Sequence, residues 1–183
     1  MNFFTTLHGI TILLGAIALT IGFIGMFSPD TLKEQMKKFP RSTVPAWILL
    51  LLCCFLGARE ALHMNMGFLN QYKKAIYLIA PGVFVASVIY MKELLAPRVL
   101  GGFLLLIAPP ILRIASQSDA PYFQLISALV YIWIIYGLIL LMSPWYFRKI
   151  NQPLLDSPTL FKIAMLGKIV LGFVLIGFGL FIY

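Results

Sequence analysis

Four polar residues are the strongest candidates for chemistry in this sequence, and three of them lie in the stretch GAREALHM. Arg59 and Glu60 precede His63 by four and three residues, so all three share one side of a helix. His8 is the fourth and stands near the start of the first apolar run. Two histidines and a carboxylate can bind a metal, and two histidines can ligate haem. An ion pair with interfacial histidines at a helix end is the simpler alternative.

The motifs of common enzymes and cofactor proteins are absent from the sequence. A Glu-x-x-His pair is half of a di-iron bundle site, and the chain has no second such pair. Cys53 and Cys54 are adjacent, so they form neither a metal-binding spacing nor a disulfide framework. No glycine-rich phosphate loop, nucleophile–base pair or Cys-x-x-Cys-His haem attachment occurs. We therefore predict no catalytic residue, no bound metal and no cofactor.

The composition is typical of a membrane protein. The 183 residues are 61% apolar and only 11% charged, with a mean hydropathy of +0.97, whereas soluble domains are roughly 45–50% apolar and 25% charged. The net charge of +8 is compatible with nucleic-acid binding, but the basic residues stand at the ends of apolar runs, where membrane-surface anchoring explains them. We predict the lipid bilayer as the partner and no nucleic acid.

Six apolar runs are long enough to cross a bilayer, whose hydrocarbon core takes about 20 helical residues. The predicted fold class is therefore an all-α integral membrane protein, a six-helix transmembrane bundle that forms one domain over residues 1–183. The fourth run is the weakest because Arg98 interrupts its start and Pro109-Pro110 its end, so a re-entrant hairpin is the alternative. The predicted spans are 7–27, 44–62, 75–91, 94–112, 122–142 and 159–183.

The distribution of lysine and arginine predicts the orientation of the six spans. Eight of these residues lie in the loops 28–43, 92–98 and 143–158, against four in the opposite loops, and the positive-inside rule places the richer side in the cytoplasm. Both termini are then outside, in a bacterial-type inner (plasma) membrane. The eight are Lys33, Lys37, Lys38, Arg41, Lys92, Arg98, Arg148 and Lys149, and the four are Arg59, Lys73, Lys74 and Arg113.

Two Ser-Pro segments, 28–42 and 143–157, connect span one to span two and span five to span six. Serine is a good N-cap and proline suits the first helical position, so each segment is predicted to form a short interfacial helix that Pro40 or Pro153 ends. Matches at an offset of 115 predict a parallel repeat of a two-helix unit, residues 7–62 and 122–183, with convergent capping as the alternative. The matches are Gly22 with Gly137, Ser28 with Ser143, Pro29 with Pro144, Ser42 with Ser157 and Gly57 with Gly172.

Prolines inside two spans extend the candidate site in the outer half of the predicted membrane. Pro81 and Pro109 each free a backbone carbonyl one turn earlier, which a neighbouring helix, water or a ligand must satisfy. Broken spans point to substrate sites in transporters, although helix packing also explains such prolines. The candidate ligand-binding residues are therefore His8, Arg59, Glu60, His63, Pro81, Pro109 and Arg113.

Lys168 is a candidate for a buried charge. It lies six residues beyond Lys162, which is about 9 Å deeper in a helix that rises 1.5 Å per residue. The alternative is that its side chain extends back to the cytoplasmic surface.

Small residues on spans one and six favour close helix packing over chemistry. We therefore predict a non-catalytic structural or accessory subunit of a membrane assembly, with a membrane-protein partner or a second copy of the chain. The alternative is a small-solute transporter with a site in the outer half of spans one to four, and the weakest hypothesis is a haem-binding redox subunit. The small residues are Gly15, Ala18, Gly22, Gly25, Gly167, Gly172, Gly177 and Gly179.

Overall fold

The computed structural model describes residues 6–63, 67–90, 95–118 and 120–183, and every regular element in these ranges is helical. Six of the described helices are long and apolar enough to cross a membrane, which confirms the predicted six-helix, all-α architecture and is compatible with an integral membrane protein. The helices are α1 (Leu7–Phe27), α2 (Pro29–Lys38), α3 (Thr43–His63), α4 (Ile76–Tyr90), α5 (Leu95–Gln117), α6 (Gln124–Met142), α7 (Tyr146–Asp156) and α8 (Pro158–Phe181).

Two short 3₁₀ segments join these helices. Phe39–Arg41 follows α2, and Gly67–Ala75 precedes α4. The predicted end of span three at residue 91 and the predicted start of span four at residue 94 lie outside the described residues.

The fourth predicted span is a continuous helix over its described length, not a re-entrant hairpin. α5 passes through Pro109 and Pro110 and ends at Gln117, beyond the predicted end at Leu112. Proline has a fixed φ close to the helical value and lacks only its own N–H donor. Two prolines therefore remove backbone hydrogen bonds from α5 without reversing the chain.

Both Ser-Pro segments contain a short helix, as predicted. Ser28 donates its backbone N–H to the Ile24 carbonyl at 2.8 Å, and Ser143 donates to the Ile139 carbonyl at 2.9 Å. Each serine therefore closes the long helix before it. Ser157 accepts from a backbone amide in the first turn of α8 and caps that helix through its side chain.

The prediction that Pro153 ends the second short helix is wrong. α7 continues past Pro153 to Asp156. The Ser157 N–H donates to the Pro153 carbonyl at 3.2 Å, so the last turn closes on the one backbone hydrogen-bonding group that proline retains.

The described chain divides into two compact units. Unit one comprises the described residues of Met1–Lys37, Ala108–Ile132 and Arg148–Tyr183, and in it α1 packs along α8. A Cβ atom added at Gly15 would lie 2.9 Å from the Gly172 carbonyl oxygen, and one added at Gly22 would lie 3.1 Å from the Met165 carbonyl oxygen. Glycine therefore allows the two backbones to approach closely, as the small-residue pattern predicted.

Unit two comprises the described residues of Lys38–Ile107 and Trp133–Phe147. Its α5 and α6 also meet through glycines, because a Cβ added at Gly137 would lie 2.9 Å from the Gly101 carbonyl oxygen. Its buried core consists of Ala46, Leu50, Ala96 and Val99, with Phe39, Leu49, Cys53, Cys54, Phe84 and Val88 packed around it.

The glycines matched at an offset of 115 have different contacts. Gly22 lies against α8 in unit one, whereas Gly137 lies against α5 in unit two. The parallel repeat therefore stays a prediction.

We expect Gly172→Ala to destabilise the protein by about 1–3 kcal/mol, the range for overpacking a close contact. The added Cβ would lie 2.6 Å from Leu19 Cγ and 2.9 Å from the Gly15 carbonyl oxygen. Gly177→Ala on the same helix is the matched control, because nothing lies within 4 Å of its added Cβ. Thermal unfolding in detergent measures both variants, and equal effects would contradict glycine packing between α1 and α8.

Candidate functional site

The residues of the predicted outer site are divided between the two units. Arg59, Glu60, His63 and Pro81 belong to unit two. The other predicted residues belong to unit one: His8, Pro109, Arg113 and Lys168. The transporter hypothesis with a site in the outer half of spans one to four therefore stays a prediction.

The end of α3 carries the GAREALHM residues. Arg59 and His63 are exposed and Glu60 is half-buried. Lys73 donates from Nζ to the Leu62 carbonyl at 2.8 Å, so a cation satisfies one of the free carbonyls at this helix end. No group of three or more metal-ligating side chains that could hold an ion occurs in the described ranges.

The remaining predicted residues lie on exposed helix surfaces. Pro81 and Pro109 are exposed, as is Arg113 near the end of α5. Lys168 is also exposed on α8, and its assignment as a buried charge stays a prediction. None of these four residues lines either of the two cavities considered next.

A cavity in unit one, which we call the His8 cavity, has a volume of about 490 Å³. The start of α1, the last turn of α5 and Tyr183 enclose it. Its lining residues are Thr6, Leu7, His8, Ile114, Gln117, Ser118, Ala120 and Tyr183.

Three of the hydroxyl groups around the His8 cavity already bond to backbone. Thr6 Oγ1 accepts from the Gly9 N–H at 3.3 Å, and Ser118 Oγ donates to a carbonyl of α5 at 2.7 Å. Tyr183 donates its hydroxyl to the Tyr122 carbonyl at 2.8 Å. These bonds hold the local backbone, and they leave the three hydroxyl groups with little free hydrogen-bonding capacity for a ligand.

A second cavity, in unit two, differs because it contains an unsatisfied charged group. We call it the Arg98 cavity, and its volume is about 420 Å³, within the range of roughly 300–1,000 Å³ for small-molecule sites. Helices α3, α4, α5 and α6 each contribute to its wall. Its lining residues are Leu50, Cys53, Ser87, Arg98, Val99, Gly102 and Leu141.

The Nε atom of Arg98 is buried and has no hydrogen-bond partner among the described residues. Leaving a buried polar group unpaired costs about 1–3 kcal/mol, and more when the group is charged. The position of Arg98 at a helix start strengthens the need for a negatively charged partner. Arg98 is the fourth residue of α5, and the first turn of α5 contains no acidic residue. The positive end of the helix dipole and the guanidinium therefore stand together.

Two further polar groups face the Arg98 cavity. The Ser87 hydroxyl makes no hydrogen bond to another residue of the described ranges. Cys53 donates from Sγ to the Val99 carbonyl at 3.6 Å, so its thiol is already engaged across the α3–α5 contact. No carboxylate and no histidine is among the described residues that line this cavity.

Arg98 was missed as a site residue because sequence reasoning counted it only among the charges that set the orientation. The one available signal was its position, since an arginine interrupts the start of an apolar run. Whether such an arginine faces water or the protein interior depends on the helices beside it. That information comes only from the fold.

Comparison of the chain with protein-family models, with curated proteins and with solved structures finds no match in any of the three. The chemistry of the Arg98 cavity is therefore interpreted from its own geometry.

We expect Arg98→Met to stabilise the ligand-free protein by about 1–3 kcal/mol, because it removes a buried, unpaired polar group and retains apolar volume. Arg148→Met is the control, since it removes a cation from an exposed position on the short helix α7, outside the long apolar helices, and such changes usually stay within about 0.5 kcal/mol. Denaturant unfolding after thorough detergent exchange measures both. A clear loss of stability in Arg98→Met would reveal a structural partner for Arg98 and contradict this interpretation.

Proposed function

We propose that the chain is a non-catalytic integral membrane protein of a bacterial-type inner membrane, and that it binds an anionic ligand at the Arg98 cavity. The buried, unpaired Nε atom of Arg98 is the observation that carries this proposal. Among the described residues the Nε donor of this guanidinium lacks an acceptor, and an oxyanion in the cavity would supply one together with a counter-charge.

The described part of unit two offers no carboxylate near Arg98. Glu60 is its only acidic residue, and it lies ten residues along α3 from Leu50, a separation of about 15 Å at 1.5 Å per residue. Leu50 is in the cavity wall, while Glu60 is at the far end of the helix. A ligand is therefore the better source of negative charge.

The chemistry of the guanidinium indicates the class of anion. Its donors form a planar fork that matches the two oxygens of a carboxylate or a phosphate. Ser87 adds a hydroxyl to the same cavity. An oxyanion that accepts from both side chains suits this arrangement better than a spherical ion.

The lining of the Arg98 cavity favours binding over catalysis. Among the described lining residues, Cys53 and Ser87 are the only ones of nucleophilic type, and none is a histidine or carboxylate that could act as a base. Nucleophilic catalysis requires such a base or a comparable activating group. We therefore assign the cavity a binding role.

The proposed orientation places the Arg98 cavity in the cytoplasmic half of the membrane. Ser87 lies near the end of α4 and Arg98 near the start of α5, the two helix ends that border the predicted cytoplasmic loop 92–98. An anion can therefore approach from the cytoplasm or from the inner leaflet.

We expect inorganic phosphate and butyrate to raise the melting temperature of the detergent-purified protein in a concentration-dependent manner, because a ligand that binds only the folded state stabilises it. Arg98→Gln should abolish the effect, and Arg98→Lys should weaken it because lysine lacks the fork geometry. Lys168→Gln is the matched control for loss of a cation outside the cavity, and chloride at equal ionic strength controls for salt. An unchanged response in Arg98→Gln would refute the proposal.

A second candidate function, that of a subunit in a membrane assembly, is favoured by the surface of α4. This helix has no buried residue, whereas the five other long helices each bury part of their apolar window. Nothing lies within 4 Å of a Cβ added at Gly82, so a second polypeptide can approach closely there. The exposed large apolar residues of α4 are Tyr77, Leu78, Ile79, Val83, Val85, Ile89 and Tyr90.

We expect Gly82→Leu to release a polypeptide that co-purifies with the native chain, because the larger side chain prevents close approach at α4. Gly177→Leu is the control, since Gly177 is equally open but lies on α8. Crosslinking in membranes followed by sizing in detergent measures the association. A native chain that behaves as a lone monomer in both assays would exclude the subunit role.

A further inference from the structure

We infer that the ligand of the Arg98 cavity is an anionic amphiphile, with a phosphate or carboxylate head at Arg98 and an alkyl chain along the apolar wall. This inference rests on the proposed anion site and specifies the class of molecule that the site takes. The shared chemistry is an oxyanion joined to a hydrocarbon chain, whether it comes from a bilayer lipid or from a single-chain amphiphile.

The polar groups of the cavity can bind only the oxyanion part of a ligand. Arg98 and Ser87 supply the donors that an oxyanion needs, and each is free of hydrogen bonds to other residues of the described ranges. Four of the other lining residues are apolar or lack a side chain: Leu50, Val99, Gly102 and Leu141. A small hydrophilic anion would leave this surface in contact only with water, whereas an alkyl chain covers it.

Gly102 leaves space for the chain. A Cβ atom added there would lie 3.9 Å from Leu141 Cδ1, an ordinary van der Waals distance, so the gap between α5 and α6 at this level admits additional carbon atoms. Gly101, which faces a different side of α5 about 100° around the helix, meets α6 much more closely, because a Cβ there would lie 2.5 Å from the Gly137 carbonyl oxygen. The gap is therefore local to the wall of the cavity.

The cavity also opens toward the surroundings of unit two. Leu141, on its α6 wall, keeps 42% of its residue surface exposed. In the proposed bilayer placement those surroundings are hydrocarbon, so a chain that leaves the cavity past Leu141 stays in an apolar medium. An amphiphile can thus place its head at Arg98 without withdrawing its chain from the membrane.

Cys53 provides a reporter inside the same cavity. Its thiol lines the wall, and a bound molecule should slow its modification by N-ethylmaleimide. Cys54→Ala removes the neighbouring thiol, so that Cys53 is the single reactive site. Melting temperature serves as a second, independent measurement of binding in every variant.

The experiment compares inorganic phosphate, monobutyl phosphate and monododecyl phosphate on the full chain in nanodiscs of uncharged lipid. We expect the dodecyl ester to protect Cys53 at a concentration at least tenfold lower than the butyl ester, and Arg98→Gln to lose protection by both. Nanodiscs that contain phosphatidic acid form a separate arm. Protection there without added ester identifies a bilayer lipid as the source, and protection only by the added ester identifies a single-chain amphiphile.

Gly102→Leu tests the chain-binding part of the cavity. It should leave protection by the butyl ester unchanged and weaken protection by the dodecyl ester at least fivefold, because its side chain occupies the gap beside Leu141. Gly57→Leu is the matched control, since a Cβ at Gly57 also meets only a leucine, at 3.8 Å, but Gly57 does not line the cavity. Leu141→Phe narrows the same gap from the opposite wall and replaces Gly102→Leu if that variant misfolds.

The outcomes separate this inference from the proposed function. If neither the butyl nor the dodecyl ester protects Cys53 in an Arg98-dependent manner, the anion site itself is wrong. If both esters protect equally and Gly102→Leu has no effect, the anion site is supported and the inference that its ligand is an amphiphile is wrong.

Glu93→Gln tests the acidic residue nearest to Arg98 in sequence. We expect the esters to protect Cys53 in this variant as well as they do in the native chain.

Discussion

Apolar side chains on the outer surfaces of the helices are the constraint on which the rest of the structure depends. Phe27, Leu78 and Phe181 each keep more than four-fifths of their surface exposed, at 82%, 81% and 87%. An apolar side chain that stays in water forgoes about 1.5–3 kcal/mol of burial free energy, and soluble monomers rarely carry large apolar patches. The proposed bilayer placement removes this cost, and helices suit it because they satisfy their own backbone hydrogen bonds.

Hydrocarbon surroundings also change what holds the helices together. Apolar surface gains little by moving from lipid to a neighbouring helix, so association depends on close packing and polar contacts. The glycines of α1 and α8 serve this purpose in unit one, where Gly15 and Gly172 bring the two backbones together. In unit two Gly101 and Gly137 do the same for α5 and α6. In the same medium a polar group without a partner has a correspondingly larger free-energy cost. The unpaired Nε atom of Arg98 is therefore the feature of unit two that most needs an explanation.

The parts of the structure that depend on composition and local capping were predictable, and those that depend on tertiary contacts were not. The six long helices follow from apolar run length, and the short helix after Ser28 follows from its Ser-Pro start. Pro153 was expected to end a helix and Pro109 to interrupt one, but proline only weakens a helix that its surroundings support. The sequence was enough to include Arg98 among the basic residues that predict the orientation. The burial of its Nε atom depends on the fold, which brings side chains from three other helices to the same cavity.

The choice of arginine at position 98 fits a binding role better than an orienting one. A lysine would supply the same charge for the positive-inside rule, and its flexible stem would let the ammonium reach water. Arginine instead presents a planar fork in the cavity wall, next to the positive end of α5, and its Nε atom has no partner among the described residues. Natural proteins keep locally unfavourable residues chiefly where function requires them. In the proposed anion site the same electrostatic cost would become a favourable contribution on binding, so the residue that weakens the empty cavity would also give it affinity.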